Sequence, residues 1–511
     1  MKNVVSACIL TALPELVTGL SEFLFSSGLL NLLEKPAGTA SEITEKRFLM
    51  WKGFSTMRVI VKKTFRSQKN NPVKRKLKQL VFFFLLSLTL CGCRSVSLDA
   101  SELQPDPAGA EAVGTRTSGL DGIALSPLTE DEQAALRWLD HVLGPLPEEE
   151  EQKWWLCEEE QFGLAATRYH IAFAGYAAAA LGIRGNADQR STVGRILENS
   201  ITRYLKREVW AYTQHENYWG KESWAPDPCY RENVMYTGHL LQLLALYECF
   251  TGNTKYWTEG FDFVWDENAV VHYDVQKLID VTVEQMRAGH GGVTCEPGLL
   301  FFPCNNHPHF ALKLFASLGH GDWSADSARW EKWALSHYPN PLLGGGVLNM
   351  LYHTKNGLFY PRGYSGLDAW SILWYEPWAG KRENALTLWK GAKALLDWEK
   401  FKDPKDNVAK AVNCMNPQQA PDTVLACFLA AAARACDDPE SAERFEKPLD
   451  AKYLRRENGF YWLDVTLQWR VGATAMRILA LAESNGSRFR EWSCHPACTP
   501  APAELSHIRQ N

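Results

Sequence analysis

Of 511 residues, 46% are hydrophobic and 22% charged, with a formal net charge of −5, which excludes a disordered chain and a nucleic-acid binder and requires a large core. Twenty Trp, 17 Tyr and 23 Phe supply ring surface of the kind that fills helical packing seams or lines an apolar pocket. Thirteen cysteines, none in a Cys-x-x-Cys pair, are too sparse for a disulfide scaffold, and their odd number leaves at least one thiol free.

The first hundred residues read as targeting. From Arg58 to Lys78 the chain carries nine Lys/Arg and no acid, then runs apolar from Leu80 to Leu90 before Cys91-Gly-Cys93. That is the pattern of an export signal. An apolar run of eleven residues is shorter than the roughly 20 needed to span a bilayer as a helix. Leu90-Cys91-Gly92-Cys93 resembles a bacterial lipobox. The expectation is therefore an exported protein, a periplasmic or cell-surface lipoprotein starting at Met57, with residues 1–56 an extension and the lipid on Cys93. Residues 94–125, rich in Ser, Asp, Pro, Ala and Gly, read as a flexible linker.

Folding begins near Ser126, where Thr129 and Glu132 fit a capping box. Helix-period segments then follow at 130–143, 158–182, 188–207, 231–250, 273–288, 306–318, 324–336, 366–376, 382–399, 419–436 and 466–484. No comparable set of alternating strands competes with them. About a dozen helices at roughly thirty residues each suit stacked helix pairs. The predicted fold class is all-α, an (α/α)6 toroid (six-hairpin barrel) over 126–490. A C-terminal tail, 491–511, holds Cys494 and Cys498, which an oxidising compartment would allow to bridge. An open superhelix is the rival, but no fixed-period consensus is present.

Three segments put reactive groups in apolar or aromatic surroundings. In Asp227 to His239, Met235 and His239 stand four apart and share a helix face continued by Leu243 and Leu246. In Gly291 to His309, the thiols Cys295 and Cys304 are nine residues apart among Glu296, His307 and His309. A disulfide, a Cys/His metal site, and a thiol pair near an imidazole are all readings of this segment. Its spacings match no common zinc pattern. A thiol beside an imidazole donates a proton and its thiolate accepts one. In Tyr360 to Trp370, an aromatic loop containing Tyr364 runs into a helix, where phenols hold a substrate oxygen and ring faces steady positive charge.

Together, Arg168-Tyr-His-Ile-Ala-Phe173, Asp227-Pro with Glu232-Asn-Val-Met-Tyr-Thr-Gly-His239, Val293-Thr-Cys-Glu-Pro297 and Phe302-Pro-Cys304-Asn305 resemble the linalool dehydratase/isomerase family, in family order. The resemblance implies an (α/α)6 fold and cofactor-free interconversion and dehydration of a small allylic terpene alcohol. The family's well-known member is a homopentamer. By the same resemblance, His239 matches the catalytic histidine, Cys295 and Cys304 the two acid/base thiols, and Met235 a pocket residue. Asp140 matches an aspartate contributed across a subunit interface, but the tyrosine expected six residues later is Leu146. Tyr364 is the candidate for a second tyrosine, two residues displaced from Gly366, the position that matches the family pattern. The candidate substrate contacts are Met235, Tyr236, Glu296 and Trp370.

Losing water from an allylic alcohol needs a proton for the departing oxygen, stabilisation of cation character, and a base for a neighbouring C–H. The expectation is that one of Cys295 and Cys304 protonates the hydroxyl while the other, with His239, manages the second proton. No metal or redox cofactor is called for. The expected partner is a small apolar alcohol, with no nucleic acid and membrane contact only through the N-terminal anchor. A homo-oligomer with the active site near the subunit interface is also expected. The alternatives are a carbohydrate-active (α/α)6 enzyme using paired carboxylates among Glu232, Glu296 and Asp368, or a non-catalytic, surface-anchored binding protein.

Overall fold

A computed structural model describes residues 120, 123–155, 166–211, 226–340, 348–349, 351–360, 365–394, 396, 422–486 and 489–493. The chain divides into units Met1–Val96 and Ser97–Asn511, and every described residue belongs to the second. The basic and apolar runs, Cys93, nearly all of the linker, Tyr364, Cys494 and Cys498 lie outside the described residues.

Twelve helices among the described residues carry the fold. They are α1 (Glu130–Leu143), α2 (Thr167–Gly182), α3 (Ala187–Tyr204), α4 (Val234–Thr251), α5 (Val275–Ala288), α6 (Phe302–Ser317), α7 (Ser324–His337), α8 (Ser365–Tyr375), α9 (Arg382–Lys393), α10 (Asp422–Ala435), α11 (Pro439–Tyr453) and α12 (Leu467–Ser484). Local chemistry sets several starts. The Thr129 hydroxyl accepts from the Glu132 N–H, and the Glu132 carboxylate accepts from the Thr129 N–H at 2.8 Å. Asn186 and Gln189 repeat that reciprocal cap before α3, and the Asp274 carboxylate accepts from the Lys277 N–H before α5.

The even-numbered helices form an inner ring. Each packs on the next, α2 on α4, α4 on α6, α6 on α8, α8 on α10 and α10 on α12, and α12 returns to α2. The odd-numbered helices lie outside them, so the described unit is an (α/α)6 toroid. Sequence follows layer. In α4 every residue from Val234 to Phe250 is buried, the mark of a helix covered all round. In outer α5 only one stripe is buried, Val275, Leu278, Ile279, Thr282, Val283 and Met286, and each large apolar side chain so covered contributes about 1.5–3 kcal/mol.

Closure of the ring is tight. A Cβ at Gly472 of α12 would stand 2.7 Å from His170 Cδ2 of α2.

Sequence periodicity predicts eleven of these helices and misses α11. Pro439 in its first turn and Pro448 inside it read as breakers. The helix holds because Ala442, Phe445, Glu446 and Leu449 bury one stripe. Helix α6 starts at Phe302 rather than 306, since Pro303 in the first turn needs no N–H. This places Cys304 on a helix. Among the described residues, three small antiparallel sheets occupy connections: β1 (Phe261–Asp266) with β2 (Ala269–Tyr273), β3 (Leu299–Phe301) with β4 (Leu351–His353) and β5 (Leu358–Tyr360), and β6 (Leu454–Glu457) with β7 (Phe460–Leu463). Strands of three to six residues are too short to show alternation in sequence.

Candidate active site

The two thiols meet because Asn305 pins one segment to the other. Its Oδ1 accepts from the Val293 N–H at 2.7 Å, and its Nδ2 donates to the Val293 carbonyl at 3.0 Å and the Phe301 carbonyl at 2.8 Å. Beyond Val293 the chain turns at Glu296–Leu299 with Gly298 at φ +81°, closed by hydrogen bonds of 2.8 Å from Leu299 N–H to the Glu296 carbonyl and from Cys295 N–H to the Leu299 carbonyl. Cys295 is thereby brought near Cys304, whose thiol acts on it. Both are free, buried thiols.

The same segment holds the helix that bears His239. Glu232 and Asn233 are left-handed, at φ 57° and 63°. This turns the first amides of α4 toward the thiol loop, where Asn233 N–H donates to the Cys295 carbonyl at 3.0 Å and Val234 N–H to the Thr294 carbonyl at 3.2 Å. Gly238 lets α4 and α6 close up, for a Cβ there would stand 2.7 Å from Pro308 Cδ and 3.4 Å from the Cys304 carbonyl oxygen. Pro308, lacking an N–H, offers no helical partner to that carbonyl four residues back.

His239 is completely buried. Its Nδ1 lies 2.9 Å from the Tyr176 hydroxyl, which also donates to the His239 carbonyl at 3.3 Å. Both contacts are satisfied when Nδ1 carries the proton and donates to the phenol oxygen. Nε2 is then the bare nitrogen, and it has no hydrogen-bond partner among the described residues. His307 lies against the His239 ring, centroids 3.7 Å apart. Around them Tyr169 meets His239 edge-on at 5.3 Å and Trp370 at 5.0 Å, Phe173 meets Trp370 at 5.4 Å, and Phe428 closes the far side.

Electrostatics follow from burial. Burial, reinforced by the Cys304 thiol, pushes the Cys295 thiol well up, so it is protonated at neutral pH. Burial holds His239 well below the usual imidazole range, and the neighbouring His307 ring and the Arg168 guanidinium act in the same direction. Glu296 is raised by burial against the opposing pull of Arg168. The Tyr169 phenol is pushed well up by burial, and the nearby thiols add to the effect. Arg168, buried over the Tyr169 ring, donates to Met235 Sδ at 3.5 Å. Arg168 acts on both Cys295 and His239, and so links sulfur to imidazole.

Met235, His239, Cys295, Cys304, Glu296 and Trp370 therefore gather around the inner ring. Tyr236 does not. One residue past Met235 is a rotation of about 100° on a helix, and its ring stacks on Tyr204 of outer α3 at 4.6 Å while its hydroxyl donates to the Tyr204 carbonyl. It is packing between layers, a correction to its reading as a substrate contact. Asp140 sits on outer α1, half-exposed, in a bidentate pair with Arg195 at 2.8 and 3.1 Å. Within one chain it is not brought to the thiols. His309 points away from His307, to Ser327 and between Trp330 and Trp378. Sequence reasoning gives no role to Tyr169, Tyr176, Gln242 or Asn305. The spacing of Tyr169, Phe173 and Tyr176, four and then three, is the available signal.

The sequence model of a family described as linalool dehydratase/isomerase matches residues 168–468. Among solved structures the chain is similar to the GH76A α-1,6-mannanase from Salegentibacter sp. HEL1_6, at 9% identity over 70% of this chain and 99% of that one with a TM-score of 0.41. It is also similar to the unsaturated glucuronyl hydrolase from Bacillus sp. GL1, at 12% identity over 69% and 94% with a TM-score of 0.41.

Proposed function

Since this chain belongs to the linalool dehydratase/isomerase family, we propose that it is a lyase/isomerase that dehydrates or isomerises a small allylic, terpene-type alcohol by acid/base chemistry. The observation that carries this reading is the pair of free, buried thiols, Cys295 on the loop that caps the His239 helix and Cys304 on the helix packed against it. Cys295 protonates the substrate hydroxyl, the C–O bond breaks, and water leaves with the bonding electrons. His239 Nε2 takes a proton from the carbon next to the allylic cation, giving the diene. The imidazolium then returns its proton to the thiolate through the Cys304 side, so the cycle closes without a redox equivalent.

For isomerisation, water adds back at the other allylic carbon and the resulting oxonium gives its extra proton to the Cys295 thiolate, restoring the thiol. The rings of Tyr169, Phe173 and Trp370 face the cation with their electron-rich surfaces. Asp140, in its outer-layer ion pair, would contribute only from a neighbouring copy, so a homo-oligomer is part of the proposal. So is export with a lipid on Cys93, on the strength of the basic and apolar runs before it. No helix among the described residues is long and apolar enough to cross a membrane.

The test is turnover of a panel of allylic alcohols, followed by gas chromatography, with wild type, Cys295→Ala and Cys304→Ala. Loss of diene and isomer in both folded variants is expected. Undiminished turnover in either removes the thiol scheme. Cleavage of oligosaccharides retained in both alanine variants would point to the carboxylate chemistry instead.

A further inference from the structure

His307 has no free valence for proton transfer. The Trp370 indole N–H, which only donates, lies 3.0 Å from His307 Nε2, so that nitrogen must present its lone pair. The ring's single proton is therefore on Nδ1, which donates to Gln242 Oε1 at 2.7 Å. Protonating Nε2 would set two N–H groups head to head. This uncharged ring is completely buried and rests on the face of His239.

We propose that Gln242, His307 and Trp370 form a positioning device for His239, holding a permanently neutral ring against it so that proton traffic is confined to His239 Nε2. The inference deepens the proposed function and rests on it for the meaning of that traffic. The roles divide between two imidazoles of the same residue type by what each nitrogen meets. His239 has Tyr176 at Nδ1 and an unpartnered Nε2, whereas His307 has a partner at both. Tyr176 also stacks on both rings, at 5.9 and 5.7 Å, and Trp374 lies 5.5 Å from His307, so neither imidazole turns without moving the others. The ionisable groups on the surrounding elements are Arg168, Tyr169 and Tyr176 of α2, Cys295 and Glu296 of the loop, Cys304 of α6, and Asp368, buried on α8 two residues before Trp370. Burial lowers the His307 proton affinity, in keeping with the lock.

The experiment is two-dimensional ¹⁵N NMR of the full-length protein labelled at histidine nitrogen, from pH 5 to 9, with His307→Gln identifying the signal. His307 is expected as the Nδ1–H tautomer with no titration, and His239 with its proton on Nδ1. In Trp370→Phe the His307 signal is expected to become tautomerically mixed or pH-dependent. With an allylic alcohol that the wild type turns over, kcat is expected to fall by about 10- to 100-fold, the cost of a misplaced catalytic group, with a smaller change in KM and an altered pH profile. Gln242→Leu, which frees the other nitrogen, is the second variant should the first not fold. A wild-type His307 that titrates in this range, or carries its proton on Nε2, overturns the proposal. A protein inactive on every alcohol but showing the locked tautomer would sink the functional reading and leave the lock standing.

Discussion

The Asn233 N–H donates to the Cys295 carbonyl at 3.0 Å, so the loop that carries the thiol is also the cap of the helix that carries the imidazole. With the bond from Val234 N–H to the Thr294 carbonyl beside it, this tie joins the segments that bear Cys295 and His239, so disturbance of that loop reaches both.

Asn305 is the point at which the loop is tied down. Asn305→Ala removes all three of its hydrogen bonds and strands buried Val293 backbone groups. The expected loss is about 2–4 kcal/mol of stability, measured by urea unfolding, together with loss of turnover. A change below about 1 kcal/mol would contradict the clamp.

Cys295 is expected to resist alkylation in the native protein. Burial keeps it a thiol at neutral pH, and the thiolate is the nucleophile. Peptide mapping after iodoacetamide at pH 7 and pH 9 should show little labelling of Cys295 at either pH unless the protein is unfolded. Rapid native labelling at pH 7 would mean that the thiol is ionised and cannot serve as the acid.

Tyr176→Phe deletes the hydrogen bond to His239 Nδ1 and leaves the ring packing. The expected loss of stability is about 1 kcal/mol, seen in the urea midpoint, against a fall in kcat of about 10-fold or more. Equal kcat in the two proteins would show that the phenol does not set the tautomer.

Acid should weaken the fold partly through His309, held at about 3 by burial. A pKa depressed in the folded state gives stability that is present above the unfolded value of about 6.5 and is lost as pH falls toward the folded value. Between pH 6 and 4 the unfolded chain takes a proton that the native one refuses. His309→Gln should therefore make the slope of unfolding free energy against pH shallower by up to about 1.4 kcal/mol per unit. Glu296, raised in the fold, works in the opposite direction in both proteins, so the difference isolates His309. Parallel slopes would refute the assignment.

Much of the fold, and the helix face that carries Met235 and His239, is legible in the sequence, for reasons visible in particular residues. Amphipathic outer helices such as α5 announce themselves through one apolar stripe, and the Thr129 box marks its own helix start. Met235 and His239 are readable as one helix face. The inner helices are buried all round, so no stripe shows which side faces the axis. That is why the sequence alone points to Tyr236 as a contact and passes over Tyr176. Asn305 acts through main-chain groups twelve residues away, and such a tie has no periodic signature. The proline-bearing helix α11 and the early start of α6 escape because proline stops a helix only when an N–H is needed at that place.

The return of α12 onto α2, with Gly472 against His170, also bears on how the molecule comes into being. Helices near opposite ends of the unit must find each other across some three hundred residues of chain, a kind of long-range pairing that slows folding. Until the last inner helix has left the ribosome, the walls around His239 have no sixth member, and any chemistry there must await the emergence of α12.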